Sequence, residues 1–202
     1  MATTNYARLF IYSWKFLALT TLLGTALAVV FSFLVPLRYS STERLLITQT
    51  NSVGVDPYTA IKSTERIAEN LIEVINTTSF YKGVIADTKV DASYFPADEI
   101  SKRQKWADTI DASVNSGTGI LSITAYHTSR DQAQQIAVDV AQELVNIAPN
   151  YFGYSVRVQI IDDPLPSRFY AKPDFLKNAL FGAIAGILLG MTWVLGRVKN
   201  PS

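Results

Sequence analysis

FLALTTLLGTALAVVFSFLV (Phe16–Val35) and NALFGAIAGILLGMTWVLG (Asn178–Gly196) contain no charged residue. Runs of 20 and 19 residues match the roughly 20 that a helix rising about 1.5 Å per residue needs to cross a hydrocarbon core of about 30 Å. Both are read as transmembrane helices. The composition agrees, with 49% hydrophobic and 17% charged residues, where an ordinary soluble domain carries about 25% charged. The first run exceeds the roughly 7 to 15 apolar residues of a secretory signal. Its exit, Phe33–Tyr39 (FLVPLRY), lacks a small-residue cleavage pattern. It is expected to be a retained anchor.

The spans divide the chain into an N-terminal segment, 1–15, a middle of 142 residues from Pro36 to Lys177, and a C-terminal segment, 197–202. Only the middle is long enough to bury a core. It holds all 17 acidic residues and 14 of the 18 Lys and Arg, whereas the terminal segments carry Arg8, Lys15, Arg197 and Lys199 and no acid. This asymmetry is expected to place both termini in the cytoplasm and the middle on the far side of the membrane. Arg38, Arg44, Arg168, Lys172 and Lys177 flank the spans on that far side. A near-neutral middle is a poor nucleic-acid binder. With no cysteine in the chain there is no disulfide, thiolate metal site or cysteine nucleophile.

Within the middle, Tyr39–Thr50 reads as a strand with Leu45 and Ile47 on one face and Arg44, Leu46 and Thr48 on the other. Residues 50–56 read as a loop. Asp56-Pro57 supplies an N-cap and a first-turn proline for a helix burying Tyr58, Ile61, Ala68, Leu71, Ile72 and Ile75, with Lys62, Glu65, Arg66, Glu69 and Glu73 in water. Ser79–Lys89 and Pro96–Asp108 are expected to be short helices. Ile110, Ala112 and Val114, then Leu121, Ile123 and Ala125, alternate on either side of Asn115–Gly119 and predict a hairpin. Ser129 with Gln132 is a capping-box signature for a helix bearing Ala133, Ile136, Ala137, Val140, Ala141, Leu144 and Val145, limited by Pro149. Tyr154, Val156, Val158 and Ile160 predict a last strand. Pro164, Pro166 and Pro173 then form an extended, semi-rigid neck, 164–177. The expected fold is α+β: two transmembrane helices, 16–35 and 178–196, flanking one extracytoplasmic domain, 36–163, with a small mixed sheet and packed helices.

Residues able to do chemistry are few. His127, the only histidine, reads as an ordinary surface or strand-end residue. The pairs Asp98-Glu99 and Asp162-Asp163 are sequence neighbours, which do not present two carboxylates to one substrate atom. No phosphate loop, nucleophile elbow or zincin pattern occurs. Lys102–Trp106 (KRQKW) combines basic residues with an aromatic and reads first as a solvated helix face. Tyr58, Tyr126 and Tyr154 read as core, and Asn76-Thr77-Thr78 matches a glycosylation sequon. No catalytic, cofactor or metal site is expected. In the second run Gly182, Gly186 and Gly190 recur every four residues with Ala179, Ala183 and Ala185 nearby. Such a stripe lets helix backbones approach closely, within a chain or between chains. Trp14, Phe16, Tyr39 and Trp193 are placed as interfacial anchors.

Read in order, a basic N-terminus leads into a span ending at Pro36 and Tyr39, the strand Glu43–Thr48 (ERLLIT) and a helix after Asp56-Pro57. The strand Leu121–Ala125 (LSITA), the helix Asp131–Val138 (DQAQQIAV) and the strand Val158–Asp162 follow. The prolines of Pro164-Leu-Pro166 and Lys172-Pro173-Asp174 then join directly to a glycine-bearing span. This layout resembles the polysaccharide co-polymerases, the Wzz-type chain-length determinants, and the related membrane adaptors of bacterial tyrosine kinases, over nearly the whole chain. The resemblance implies a homo-oligomeric, non-enzymatic scaffold in membrane lipid that regulates the length or export of a surface polysaccharide (O-antigen, capsule or exopolysaccharide). Its implied partners are a polysaccharide polymerase or export machine and the glycan. The compact middle domain looks more like the adaptor members, which implies a cytoplasmic tyrosine kinase as the alternative partner. A two-span extracytoplasmic sensor is a third reading.

Overall fold

The computed structural model describes residues 12–50, 56–86 and 89–199, without the side chains of Tyr154 and residues 197–199. The predicted loop of 51–55, most of the N-terminal segment, the C-terminal residues 200–202 and the core placement of Tyr154 lie outside the described residues. Residues 38–171 form one compact unit and the two apolar helices form another.

In the first unit β1 (Tyr39–Gln49) leads to α2 (Pro57–Ile75), α3 (Thr78–Ala86), α4 (Glu99–Thr109), the hairpin β2 (Ile110–Asn115) and β3 (Ile120–His127), α5 (Arg130–Phe152) and β4 (Val156–Pro166). The strand order is β2-β3-β1-β4, antiparallel throughout. The expected mixed sheet is corrected on this point. β3 and β4, joined by α5, do run parallel, but β1 is inserted between them and pairs with both. α5 lies over β1, β3 and β4, and α2 over β1 and β2. Strand alternation sends Leu45, Ile47, Leu121, Ile123 and Val158 into the core against Leu71, Ile136 and Leu144. A satellite cluster gathers Phe80, Tyr81 and Phe95 around Trp106, whose indole donates to the Ile75 carbonyl at 2.9 Å.

Several local expectations change. Tyr58 and Ile61 are exposed, whereas Glu65 is buried, because its carboxylate accepts from Lys62 Nζ at 2.6 Å and from the backbone N–H of Gly117 in the hairpin loop. Both contacts hold its pKa below the ordinary carboxylate value. Gly117 and Gly119 carry φ of 78° and 64°, which the loop requires. Pro96–Asp98 are not helical; Asp98 caps α4 by accepting from Ser101 N at 2.9 Å. α5 passes through Pro149 to Phe152 and stops at Gly153, whose φ is 64°, so the glycine ends it and the proline does not. β4 likewise continues through Pro164 to Pro166, which an edge strand tolerates because its outer N–H groups need no partner.

The capping box is not formed. The Ser129 side chain makes no cap hydrogen bond, and the Ser129 N–H donates to His127 Nδ1 at 3.0 Å. Gln132 accepts from Asp91 N at 2.9 Å instead. At α2, by contrast, Asp56 accepts from Tyr58 N and Thr59 N, each at 3.1 Å. Asp56→Ala is therefore expected to lower stability by about 1 kcal/mol, and Ser129→Ala to stay within about 0.5 kcal/mol of zero. Chemical denaturation of the two variants in one detergent checks the order.

In the second unit, α1 (Trp14–Ser32) and α6 (Phe175–Lys199) are long and apolar enough to cross a membrane. α1 ends three residues before the predicted Val35. The N–H that would close the next turn on Ser32 belongs to Pro36, which has none.

Candidate functional site

The predicted glycine stripe faces α1 of the same chain. A Cβ on Gly182 would lie 2.5 Å from Ala28 Cβ and 2.6 Å from Gly24 O, and one on Gly186 2.9 Å from Thr21 Cα. At Gly190 the neighbours are the side chains of Thr20 and Leu17. Gly24, which sequence reading missed, completes the seam: its own Cβ would sit 2.5 Å from Gly182 O and 3.0 Å from Gly186 Cα. At one end of the pair Asn178 Nδ2 donates to Ser32 Oγ at 2.8 Å, and the rings of Phe33 and Phe175 lie 5.1 Å apart. The outward faces are greasy, with Leu22, Val30, Phe31, Phe181, Leu188 and Leu189 all more than half exposed.

Of the three neck prolines, Pro164 and Pro166 belong to β4, where Pro166 pairs with Ser41. Pro164 is buried, and its carbonyl accepts from Gln134 Nε2 at 2.9 Å. Pro173 lies between the two units' elements, just before α6. The segments by which the chain enters and leaves the α+β unit are clamped together. Ser167 N donates to Ser40 O at 2.6 Å, Ser40 N to Ser167 Oγ at 3.0 Å, and Ala171 N to Arg38 O at 2.8 Å. The Tyr39 and Tyr170 rings stack at 4.6 Å. Arg38 is fixed by donating to Asp108 O at 2.9 Å.

Beside this clamp lies a buried acid that sequence reading did not single out. Glu43 is 2% exposed, and its Oε2, like the Oγ of buried Ser41, has no hydrogen-bond partner among the described residues. The β1–β4 ladder is irregular there: between the pairs Thr42–Leu165 and Arg44–Asp162, the single residue Glu43 faces both Asp163 and Pro164. Burial, then the charges of Asp163 and Asp162, push the Glu43 pKa up to about 7. The alternation that buries Leu45 and Ile47 was the signal that could have found it.

The remaining candidates do not converge. His127 is buried, not on the surface, with its ring 4.0 Å from that of Tyr94 and its Nε2 without a hydrogen-bond partner among the described residues; burial holds its pKa below the ordinary imidazole value. Asp98 is a cap, Glu99 accepts from Tyr81 Oη at 2.6 Å, and Asp162 pairs with Arg44 at 3.7 Å on the surface. In 102–106 Trp106 is core, Arg103 pairs with Glu99, and Lys105 sits 4.1 Å above the Tyr94 ring, so the tryptophan is not on the basic face. Tyr126 is half-buried. Asn76 caps α2, with its Nδ2 donating to Ile72 O at 3.2 Å. A cavity of about 610 Å³ opens beside α3 and α4, lined by Ile85, Phe95, Pro96, Lys82 and Lys102 among others. Among the described residues no group of three or more His, Cys, Asp or Glu is placed to hold a metal ion.

Compared with known protein families and with curated protein sequences, the chain matches none. The molecule is thus defined by its architecture: an α+β unit with a four-stranded antiparallel sheet, and two helices, one near each end of the chain, long and apolar enough to cross a membrane.

Proposed function

We propose that this protein is a non-enzymatic, homo-oligomeric scaffold of the bacterial inner or plasma membrane that regulates the chain length or export of a surface polysaccharide. Both termini lie in the cytoplasm and the α+β unit faces the periplasm or the exterior. The observation that carries this reading is the pairing of α1 with α6 through a glycine seam while their outward faces stay apolar. Exposed apolar surface on that scale needs lipid to cover it. The strands that lead to the two helices, β1 and β4, are partners in one sheet, so each copy presents a rigid unit on a double anchor. Repeated copies of such a unit set a fixed surface around a growing glycan or its polymerase, in keeping with the resemblance of the sequence layout to polysaccharide co-polymerases.

The test is the size distribution of the surface polysaccharide in cells with and without the protein. Loss or displacement of the modal length while total synthesis continues is the expected result. An unaltered distribution overturns it, and loss of synthesis altogether favours the tyrosine-kinase adaptor.

A further inference from the structure

We infer that Leu165, Arg168 and Phe169 form a foot by which the α+β unit rests on the bilayer interface, with Leu165 and Phe169 among the lipid and Arg168 at the headgroup phosphates. The inference rests on the membrane reading proposed above. Leu165 is 81% and Phe169 76% exposed, more than any other large apolar side chain described in the α+β unit. They are not on a loose loop. The Ser167 hydroxyl donates to the Phe169 carbonyl at 2.8 Å, and the Ser167 and Ala171 N–H groups are bound to Ser40 and Arg38 carbonyls.

What covers them follows from the chain itself. Phe169 precedes Phe175, the first residue of α6, by six residues, a tether of at most about 20 Å. Arg38 and Tyr39 likewise follow the end of α1 at Ser32 by six and seven. Tethers of that length to two helices long and apolar enough to cross a membrane allow Phe169 and Tyr39 to reach the headgroup layer. The composition of this surface fits that layer. The Arg168 guanidinium lies 5.9 Å from the Phe169 ring centroid, pairing an apolar body with a cation that binds phosphate. Tyr170 and Tyr39 add the amphipathic rings typical of an interface. The far end of β1 offers a contrast: there Gln49 Nε2 donates to Ser63 Oγ at 2.6 Å, and Tyr58 in the same helix, though exposed, is 117 residues before the start of α6.

Because the chain contains no cysteine, single spin labels are clean probes. The full-length protein is placed in nanodiscs of phosphatidylglycerol and phosphatidylcholine, labelled in turn at Phe169→Cys, Leu165→Cys, Leu188→Cys and Tyr58→Cys. Relaxation by oxygen, which partitions into lipid, is compared with relaxation by a water-soluble nickel chelate. The expected result is an oxygen-to-nickel ratio several-fold higher at 165 and 169 than at 58, and lower than at 188. Adding Arg168→Glu is expected to return the 169 label toward the value at 58. Water-exposed labels at 165 and 169 with a lipid-exposed label at 188 overturn the foot and leave the membrane reading standing. A water-exposed label at 188 overturns both. Labels at 165 and 169 shielded from both reagents and broadened by a neighbouring label assign the patch to a second copy of the chain, which also overturns the foot.

Discussion

Glu43→Gln is expected to keep a contribution of ~3 kcal/mol to stability that is lost from the native protein between about pH 4.5 and pH 7. In the folded chain Glu43 keeps its proton to about pH 7, against an ordinary value of 4.5. Across that window the folded state therefore binds more protons than the unfolded state, so stability decreases as pH rises. Below the window both states are protonated and the full contribution is present; above it both are ionised and the contribution is gone. The physical cause is a carboxylate that is 2% exposed, has one oxygen without a hydrogen-bond partner among the described residues, and stands beside Asp162 and Asp163. β3 offers it only Ile123 across the ladder, and the buried face of α5 is apolar, so no cation among the described residues offsets the charge. Glutamine has the shape of the protonated acid and cannot ionise. The variant should match the native protein near pH 4.5 and exceed it by ~3 kcal/mol at pH 8. Denaturant unfolding of both chains at a series of pH values checks this; a difference that stays constant with pH removes the buried titration from the account.

Glu43 also marks the boundary of what was legible in the sequence. The elements themselves were readable because their patterns are local: period two in β1 and β3, i, i+3, i+4 spacing in α5, two charge-free runs of membrane length. The parity of β1 put Ser41 and Glu43 on the core face with Leu45, yet a glutamate there reads as part of an ordinary strand until burial is known. Glu65 was assigned to water because its stabilising partner, the Gly117 N–H, lies 52 residues away in the hairpin loop. Tyr58 and Ile61 have helical spacing in register with Ala68 and Leu71, but spacing does not say where a helix stops being covered, and the first turn of α2 is exposed. Pro164 and Pro166 signalled an end to regular structure, which holds for a central strand. Only the strand order, which puts β4 at the edge, reveals that they continue it. Ser129 and Gln132 had the spacing of a capping box, but the His127 ring two residues away took the Ser129 N–H, and Asp91 N, distant in the chain, took the Gln132 side-chain carbonyl.

Gly186→Leu is expected to separate α1 from α6 and to lower the stability of the helix pair by about 3 kcal/mol, the upper part of the range for overpacking. The atoms that a side chain at 186 would meet are the Thr20 carbonyl oxygen and the Thr21 Cα, and at 182 they include the Gly24 carbonyl. Backbone cannot rotate aside as a side chain can, so the helix axes must move apart. That loses the close packing which, in an apolar solvent, takes the place of a hydrophobic driving force. It also strains the Asn178–Ser32 hydrogen bond at the end of the pair. Gly190→Ala is the contrast: its obstacles are the Thr20 hydroxyl and a Leu17 methyl, which can turn away, so its cost should be well under half as large. Spin labels at Leu34→Cys and Leu176→Cys, both exposed, read the separation directly by dipolar coupling. The Gly186→Leu chain should give a longer and broader distance distribution than either native or Gly190→Ala chains; an unchanged distribution would mean that the seam tolerates bulk. Because Gly24, Gly182 and Gly186 are already engaged within one chain, loss of the seam acts first on the protomer. Any drop in oligomer mass should therefore follow the change in intramolecular distance across a series of substitutions at 182 and 186, and a variant that loses mass while keeping the native distance would place the stripe between subunits instead.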